Sequence, residues 1–367
     1  MSSVEYEALP PSHGSVRDVR EDDRRGGRAV RPLLASIVAP TYGRRTSLVR
    51  VLGALERQTA APDVFEVVVV CDGDIDGSAA LCRLIAARTP YLLRVVEQAN
   101  SGPAAARDRG VAEANAPLIV FLDDDVVPSD TWLEAHLTAQ EGQDARVAIG
   151  PMLPPDDVRL SLWAQWEEQQ LLRQYDDMTA QRWAPTHRQF YTGNASVLKQ
   201  HIVAAGGFNA AFKRAEDVEL AHRLSERGLH FVFLPEARGW HYIQRSFESW
   251  LRIPSAYGAA DVAMTRAGRP WMAPLVAHEF YERNVLIRAL VLLCVGRPPI
   301  AALSCSVLGV FARLLGARGG GGLAYAACSL IFNVRYYDGF AEALGGRRLF
   351  LKLIQDESER KSGEATG

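Results

Sequence analysis

The chain has few cysteines and almost no net charge, and both shortages exclude classes of protein. Only five cysteines occur in 367 residues, spaced irregularly and with no CxxC pair. An odd set without a pattern does not indicate a disulfide framework, so we expect a reducing, cytoplasmic location. The formal net charge is −2. This balance lacks the basic excess of a nucleic-acid-binding protein, and we expect no nucleic acid as a partner.

Long apolar runs and nucleophile motifs are also absent. The first residues, MSSVEYEALPPSHG, have no apolar core, which predicts no signal peptide. The mixed charge run after them predicts a disordered lead over residues 1–32. The longest uncharged apolar stretches, residues 298–312 and 319–334, are shorter than the ~18–20 residues of a membrane-spanning helix. No GxSxG motif and no internal repeat occur.

Residues 33–122 alternate apolar strands with amphipathic helices. Four runs, LLASIVAP, FEVVVVCDG, YLLRVVEQ and PLIVFL, have continuous apolar cores without alternation, which is typical of parallel strands covered on both faces. The helix predicted over residues 46–58 has Leu48, Val51 and Leu55 on one face. The pattern predicts an α/β fold, with a mainly parallel sheet and helices on both faces.

Polar loops follow the four strands. In such sheets ligands bind in the crevice beyond the carboxyl ends of the strands. The loops are PTYGRR, CDGDIDG, EQANSGP and DDDVVP, and three of the four contain carboxylates. We therefore predict a ligand site at this edge.

The last loop begins with three aspartates, Asp123 to Asp125, directly after a buried strand. Acidic residues can cap a following helix, but Ser129 and Asp130 stand closer to its start and Pro128 intervenes. Carboxylate oxygens are preferred ligands of Mg²⁺ and Mn²⁺, which also bind substrate phosphates. The triplet favours a divalent cation that holds a diphosphate.

The second half of the chain contains a tryptophan-rich helix, a helix that opens with Glu216 and Asp217, a strand and, after Trp250, an apolar helical region. We divide the chain into the lead, an α/β region over 33–250 with halves 33–130 and 147–250, and a helical region over 251–367. The arginine-punctuated helices of the last region either lie on a membrane interface, as a peripheral membrane contact, or form a buried core.

Eight segments between residues 36 and 242 resemble the family 2 glycosyltransferases in their order and spacing. They are VAPTYGRRTSL, VVVVCDGDIDGS, NSGPAAARDRG, VFLDDDVVP, TGNASVLK, GGFNAAF, AEDVELAHRL and WHY. The resemblance implies a GT-A fold and inverting transfer of a sugar from a nucleotide-diphosphate sugar donor to a hydroxyl acceptor. It also implies Mn²⁺ or Mg²⁺ as the cofactor.

The same resemblance implies a role for individual residues. Asp217 would be the catalytic base, and the D-x-D pair of Asp123 and Asp125 would bind the metal ion with His241. The set implied to bind the nucleotide sugar is Pro40, Thr41, Tyr42, Arg44, Asp72, Gly102, Arg107, Asp123, Asp124, Gly193, Asn194, Glu216 and Trp240. Some of these residues have a plainer alternative: Asp217 and Glu216 as acids in the first turn of a helix, His241 as a histidine at a strand end, Trp240 as a core residue, and Gly193 and Asn194 as a turn.

Two positions depart from the family pattern. Cys71 replaces one of two acids in the family's VVDDGS, and Asp108 replaces the asparagine of its ARN. Both bear on the choice of nucleotide more than on activity. The alternative functions are a nucleotidyltransferase, whose glycine-rich GxGTR-like opening is missing here, and a non-catalytic sugar- or lipid-binding protein of the same fold.

Overall fold

The computed structural model describes residues 31–212, 214–242 and 245–364. The lead that we predict to be disordered lies almost wholly outside these ranges. Residues from Pro32 onward form one compact unit. Within the described ranges the chain contains ten strands and thirteen α-helices.

The strands are β1 Ala35–Thr41, β2 Phe65–Asp72, β3 Leu92–Gln98, β4 Leu118–Leu122, β5 Val126–Pro128, β6 Arg146–Ile149, β7 Met152–Leu153, β8 Asn194–Leu198, β9 His230–Phe233 and β10 Gly239–His241. The first helices are α1 Arg45–Leu55, α2 Ser78–Ala86, α3 Pro103–Glu113, α4 Trp132–Gln140, α5 Leu162–Thr179, α6 Lys199–Ala204 and α7 Glu216–Glu226. The remaining helices are α8 Phe247–Arg266, α9 Met272–Glu282, α10 Val285–Cys294, α11 Pro298–Ala317, α12 Gly321–Leu344 and α13 Arg347–Glu364.

The main sheet has seven strands in the order β3-β2-β1-β4-β8-β6-β9. The pairs β2–β3, β1–β2, β1–β4 and β6–β9 are parallel, while β8 runs antiparallel to both of its neighbours. One hydrophobic cluster covers one face of the sheet with α1, α2 and α4, and another covers the other face with α3, α6 and α7. The predicted fold class, a mixed and mainly parallel sheet between two layers of helices, is confirmed.

The central strands are buried because most of their residues are apolar. Every residue of β2 is buried, and its run of four valines suits a strand with both faces covered. Helix α3 lies close to this sheet at Gly110, where an added Cβ would sit 2.3 Å from a methyl of Val38. A glycine is therefore required where this helix crosses β1.

A smaller three-stranded sheet, in the order β5-β10-β7, lies after the aspartate triplet. β10 runs antiparallel to β5, with His241 opposite Val126 and Gly239 opposite Pro128. This pairing brings a segment from late in the chain back to the end of β4.

Helices α8 to α13 form the C-terminal region around a further hydrophobic cluster, which includes Trp250, Tyr337 and Phe350. Helices α8 and α12 cross closely at two glycines. An added Cβ at Gly258 or Gly339 would lie 2.2 Å from a backbone carbonyl of the other helix. The predicted boundary at residue 250 falls inside α8. Among the described residues, one helix, α11, has the length and apolar composition to cross a membrane.

Candidate active site

The predicted site residues come from the ends of β1, β2 and β4 and from loops brought beside them. Parallel β1 lies between β2 and β4, so the loops after these strands open at the same edge of the sheet. This is the crevice position expected of an open α/β sheet. The aspartate triplet does not cap α4, which begins at Trp132 with Thr131 before it and without a side-chain cap hydrogen bond.

The second aspartate of the triplet is bound to the loop after β1. The hydroxyl of Thr41 donates to Oδ2 of Asp124 at 2.7 Å, and Nη1 of Arg44 donates to Oδ1 at 3.2 Å. Burial raises the pKa of Asp124 to about 6, while Arg44 and Thr41 act in the opposite direction. Thr41, Arg44 and Asp124 are thus brought together. Pro40 and Tyr42 flank Thr41, and Tyr42 is half exposed.

The third aspartate contacts Arg44 and His241. Asp125 forms an ion pair with Arg44, and Nε2 of His241 lies 3.4 Å from its Oδ1. Although burial alone raises the pKa of Asp125, the hydrogen bonds and charges of His241 and Arg44 lower it to about 2. The pairing of β10 with β5 explains the contact, because it places His241 opposite the residue that follows Asp125.

The first aspartate joins a buried bridge to the helix that contains the predicted base. Arg107 of α3 donates from Nη2 to Oδ1 of Asp123 and from Nη1 to Oε1 of Glu216, both at 2.8 Å. Although burial lowers the pKa of Arg107, the charges of Asp123, Glu216 and Asp217 raise it above its ordinary value. Nε of Arg107 is buried and has no hydrogen-bond partner among the described residues.

Asp217 begins α7 beside this bridge. Its Oδ1 accepts a hydrogen bond from the backbone N–H of Val218 at 2.8 Å. Burial, and then the charge of Glu216, raise the pKa of Asp217 to about 6. The carboxylate therefore takes up a proton more readily than an ordinary aspartate, as a general base must.

The loop after β2 is organised by Asp72. Its Oδ1 accepts from the backbone N–H of Ser101 at 2.7 Å and from Nε2 of Gln98 at 2.9 Å, and its Oδ2 accepts from the N–H of Gly102 at 2.8 Å. Gly102 stands at the start of α3 with φ +90°, a conformation that favours glycine. Asp72 thus holds the loop that leads into the helix of Arg107.

Two predicted sugar-contacting residues occupy different positions. Gly193 lies beside Asp123, since a Cβ on it would sit 3.1 Å from Oδ2. Asn194, in contrast, is fully buried: its amide donates to the carbonyls of Pro151 and Ala237, and its oxygen lies 2.7 Å from Nε1 of Trp132 and 2.9 Å from Nε2 of His136. All its hydrogen-bonding capacity is used within the protein, so the structure does not present this side chain to a sugar.

The position of Trp240 follows from its strand. It neighbours His241 on β10, and successive side chains of a strand point to opposite faces. When His241 faces Asp125, Trp240 faces the other way, and the two are not brought together as one binding surface.

Several residues near the base escaped the sequence analysis. Burial and then the charge of Asp217 raise the pKa of Tyr257 on α8, and burial together with Tyr175, Tyr257 and Asp217 raises that of Tyr191. On α5, burial raises the pKa of Glu168 to about 7, with His241 acting against it. Tyr257 and Glu168 lie on helices and Tyr191 in a loop, and the local sequence pattern contains no signal that marks them as neighbours of the site.

The two departures from the family pattern have structural explanations. Cys71 is buried in β2, and burial raises the pKa of its thiol to about 12, which leaves it unreactive. Oδ1 of Asp108 accepts from the N–H of Phe208 at 2.8 Å and thereby holds the glycine loop before it. Both residues are placed for packing and loop support.

No three His, Cys, Asp or Glu side chains of the described ranges converge on one point as a ready metal site. Two of the three predicted ligands, Asp125 and His241, are in contact, while Asp123 is held by Arg107. Carboxylate oxygens with an imidazole are a chemically suitable set for Mn²⁺ or Mg²⁺. These side chains are therefore chemically suited to the cation. To bind it, Asp125 would have to break its ion pair with Arg44.

Comparison with known proteins shows the family of the chain. The sequence model of Glycosyl transferase family 2 matches residues 36–217. Validoxylamine A glucosyltransferase of Streptomyces hygroscopicus subsp. limoneus is 33% identical over 232 residues, which cover 57% of this chain and 51% of that protein. The chain thus spans about half the length of this relative.

Solved structures share the GT-A fold. The mannosyltransferase PcManGT from Pyrobaculum calidifontis, in complex with GDP-Man and Mn²⁺, has a TM-score of 0.53 at 18% identity, covering 83% of this chain and 86% of its own. S. aureus TarS 1-349 in complex with UDP has a TM-score of 0.50 at 17% identity, covering 83% and 90%. Motif order, fold and the matched family model agree, and the chain belongs to glycosyl transferase family 2.

Proposed function

We propose that the protein transfers a sugar from a nucleotide-diphosphate sugar to a hydroxyl acceptor, with inversion and with Mn²⁺ or Mg²⁺ as the cofactor. The observation that supports this most is the bridge through Arg107. It joins Asp123, the first residue of the aspartate triplet, to Glu216, the neighbour of Asp217. A diphosphate-binding group and a candidate base are thereby held in one rigid unit.

Asp217 is the base in this proposal. It takes the proton from the acceptor hydroxyl while the acceptor oxygen bonds to the anomeric carbon. The bond from that carbon to the diphosphate oxygen breaks on the opposite side, which inverts the configuration. With a pKa of about 6, Asp217 is ionised at neutral pH and ready to accept the proton. One base suffices, so the absence of a nucleophile motif is expected.

Asp125 and His241 would hold the cation, and Asp123 is the third ligand that the D-x-D motif implies. When bound, the cation would neutralise the charge of the departing diphosphate. Arg44 now pairs with the carboxylates at this point, and its side chain is 53% exposed. It is therefore placed to exchange a carboxylate for a phosphate oxygen when the donor binds.

The remaining residues support the donor. We assign Pro40, Thr41 and Tyr42 to the nucleoside pocket. We assign Asp72 to recognition of the nucleobase, through the loop that Asp72 orders. Validoxylamine A glucosyltransferase supports sugar transfer by its name, and the GDP-Man and Mn²⁺ complex of PcManGT supports the class of donor and cation. We further propose a cytoplasmic location, because all five cysteines are free and buried.

A panel of nucleotide sugars tests the proposal, with Mn²⁺, Mg²⁺ or EDTA present. We expect release of a nucleoside diphosphate that stops in EDTA and returns with the cation. Full turnover in EDTA would contradict the metal assignment. Release of pyrophosphate from a nucleoside triphosphate would instead identify a nucleotidyltransferase, and donor binding without any turnover would identify a non-catalytic binding protein.

The variant Asp125→Ala supplies the second arm. It should lose the cation-dependent part of nucleotide-diphosphate binding in calorimetry while keeping its circular dichroism spectrum. Asp130→Ala is the matched control, because Asp130 is 56% exposed and pairs with Arg57 on the surface. Equal binding by the two variants would remove Asp125 from the metal site.

A further inference from the structure

We propose that the protein docks on an anionic lipid bilayer through one apolar face of helices α10 and α11 and the start of α12. This face, the membrane face below, consists of Val285, Leu286, Leu293, Leu303, Val307, Val310, Phe311, Leu314 and Leu323. These nine are among nineteen exposed large hydrophobic residues in the described ranges, although they come from only 39 consecutive positions. Such a concentration of exposed apolar residues in one short segment marks an interaction site.

On helix α11 the small apolar residues face the protein and the large ones face outward. This is the reverse of a surface helix in water. Ala301, Cys305, Gly309 and Ala312 are buried, and they recur every three or four residues along one side. The opposite side contains Leu303 and Val307, which are 67% and 59% exposed. A surface helix in water normally buries its large apolar residues, so this outward side is suited to a lipid environment.

The charge around the membrane face has one sign. Residues 283–337 contain six arginines and no aspartate, glutamate or lysine, whereas the whole chain has a net charge of −2. Arg297 and Arg318 stand at the two ends of α11 and are exposed. Neither forms a salt bridge within the described residues. Exposed guanidinium groups without an ion-pair partner among these residues are suited to the phosphates of anionic lipids.

The inner side of α11 packs against α5 and α8. This packing favours a helix that lies on the bilayer over one that crosses it. An added Cβ at Gly309 would sit 2.6 Å from the ring of Phe247, and one at Gly316 would sit 3.3 Å from Leu162. The guanidinium of Arg313 lies 4.8 Å from the centre of the Phe247 ring. A crossing helix would have to leave this packed contact with α5 and α8. The apolar side is thus presented as a fixed surface.

Flotation of the full-length protein with vesicles tests this inference, which does not rest on the proposed function. Vesicles of phosphatidylcholine with phosphatidylglycerol should bind the protein, and added NaCl should weaken this binding. Vesicles of phosphatidylcholine alone should bind less. No binding to either kind of vesicle would overturn the proposal.

Matched variants locate the surface. The double variant L303S/V307S should lower the vesicle partition coefficient at least tenfold. L84S/V203S should leave it unchanged, because Leu84 and Val203 are equally exposed, at 63% and 61%, but lie on α2 and α6. R297Q/R318Q should lower it roughly 25-fold, from ~1 kcal/mol for each arginine near an anionic surface. Thermal melts would confirm that all variants fold.

Two outcomes would assign the face elsewhere. Equal partition of L303S/V307S and L84S/V203S would show that the membrane face does not contact lipid. Dimers in gel filtration that dissociate in L303S/V307S, without vesicle binding by the parent protein, would assign the face to a second copy of the chain.

Discussion

The guanidinium of Arg44 pairs with the carboxylate of Asp125 across the mouth of the crevice. The two residues come from the loops after β1 and β4, the strands at which the sheet changes direction of winding. Because Arg44 is half exposed, the pair is partly screened by solvent and can open at modest cost. A positive side chain therefore lies where we propose that a divalent cation binds.

The first prediction concerns this competition. Arg44→Ala should bind Mn²⁺ up to about fivefold more tightly in the absence of nucleotide, since a partly exposed ion pair contributes ~0.2–1 kcal/mol. Titration of free Mn²⁺ by electron paramagnetic resonance measures this. Arg45→Ala is the control, because the side chain of Arg45 contacts the backbone of Asp76 and no aspartate of the triplet. Weaker Mn²⁺ binding by Arg44→Ala would show that the arginine supports the cation instead of competing with it.

The second prediction concerns the buried bridge. Arg107→Met leaves Asp123 and Glu216 without their shared partner, and breaking a buried ion pair from one side typically costs ~3–5 kcal/mol. Urea unfolding should show a loss of this order. Arg109→Met, on the same helix, should change stability by less than ~1 kcal/mol because its pair with Glu113 is on the surface. Similar losses in both variants would mean that the bridge does not stabilise the fold.

The third prediction concerns the base. Asp217→Asn preserves the shape and removes the proton acceptor, so turnover should fall ~10²–10⁴-fold. Donor binding measured by calorimetry should remain, since Asp217 does not contact the aspartate triplet. Asp130→Asn should retain full turnover. Normal turnover in Asp217→Asn would leave the residue as a first-turn acid and direct attention to Glu216.

The fourth prediction is the pH profile of turnover. A base whose pKa is about 6 is ionised above that pH and protonated below it, so the rate should fall about tenfold for each pH unit below 6. The pKa of Asp124 is also raised to about 6. The residual activity of Asp217→Asn separates the two groups: if Asp217 causes the decline, this variant should lose that dependence. An unchanged acid limb in Asp217→Asn would assign the decline to another group.

Much of the site could be predicted from local sequence. Apolar strands followed by polar loops indicated a parallel sheet with a crevice at its carboxyl edge, and Asp123 to Asp125 fall there. The helix predicted to open with Glu216 and Asp217 begins at Glu216. Such features depend on residues that are close in sequence. The periodicity of hydrophobic residues and the composition of the loops are therefore enough to predict them.

Other features depend on residues far apart in sequence. Asn194 reads as a polar turn residue, yet β8 enters the sheet antiparallel and buries its amide against Trp132 and His136. Trp240 and His241 are adjacent in sequence, but strand alternation separates their faces. Neither outcome has a local signature.

The sequence by itself determined the alternation of elements, the family and the identity of the charged residues, because these follow from composition, period and motif order. Only the tertiary structure decided which charges meet. Arg107 bridges Asp123 and Glu216 because α3 crosses β1 at Gly110 and brings a guanidinium between two loops 93 residues apart. The outward apolar side of α11 was decided in the same way: the stretch was apolar on both sides, and the packing of its small residues against Phe247 and α12 selected the side that stays exposed.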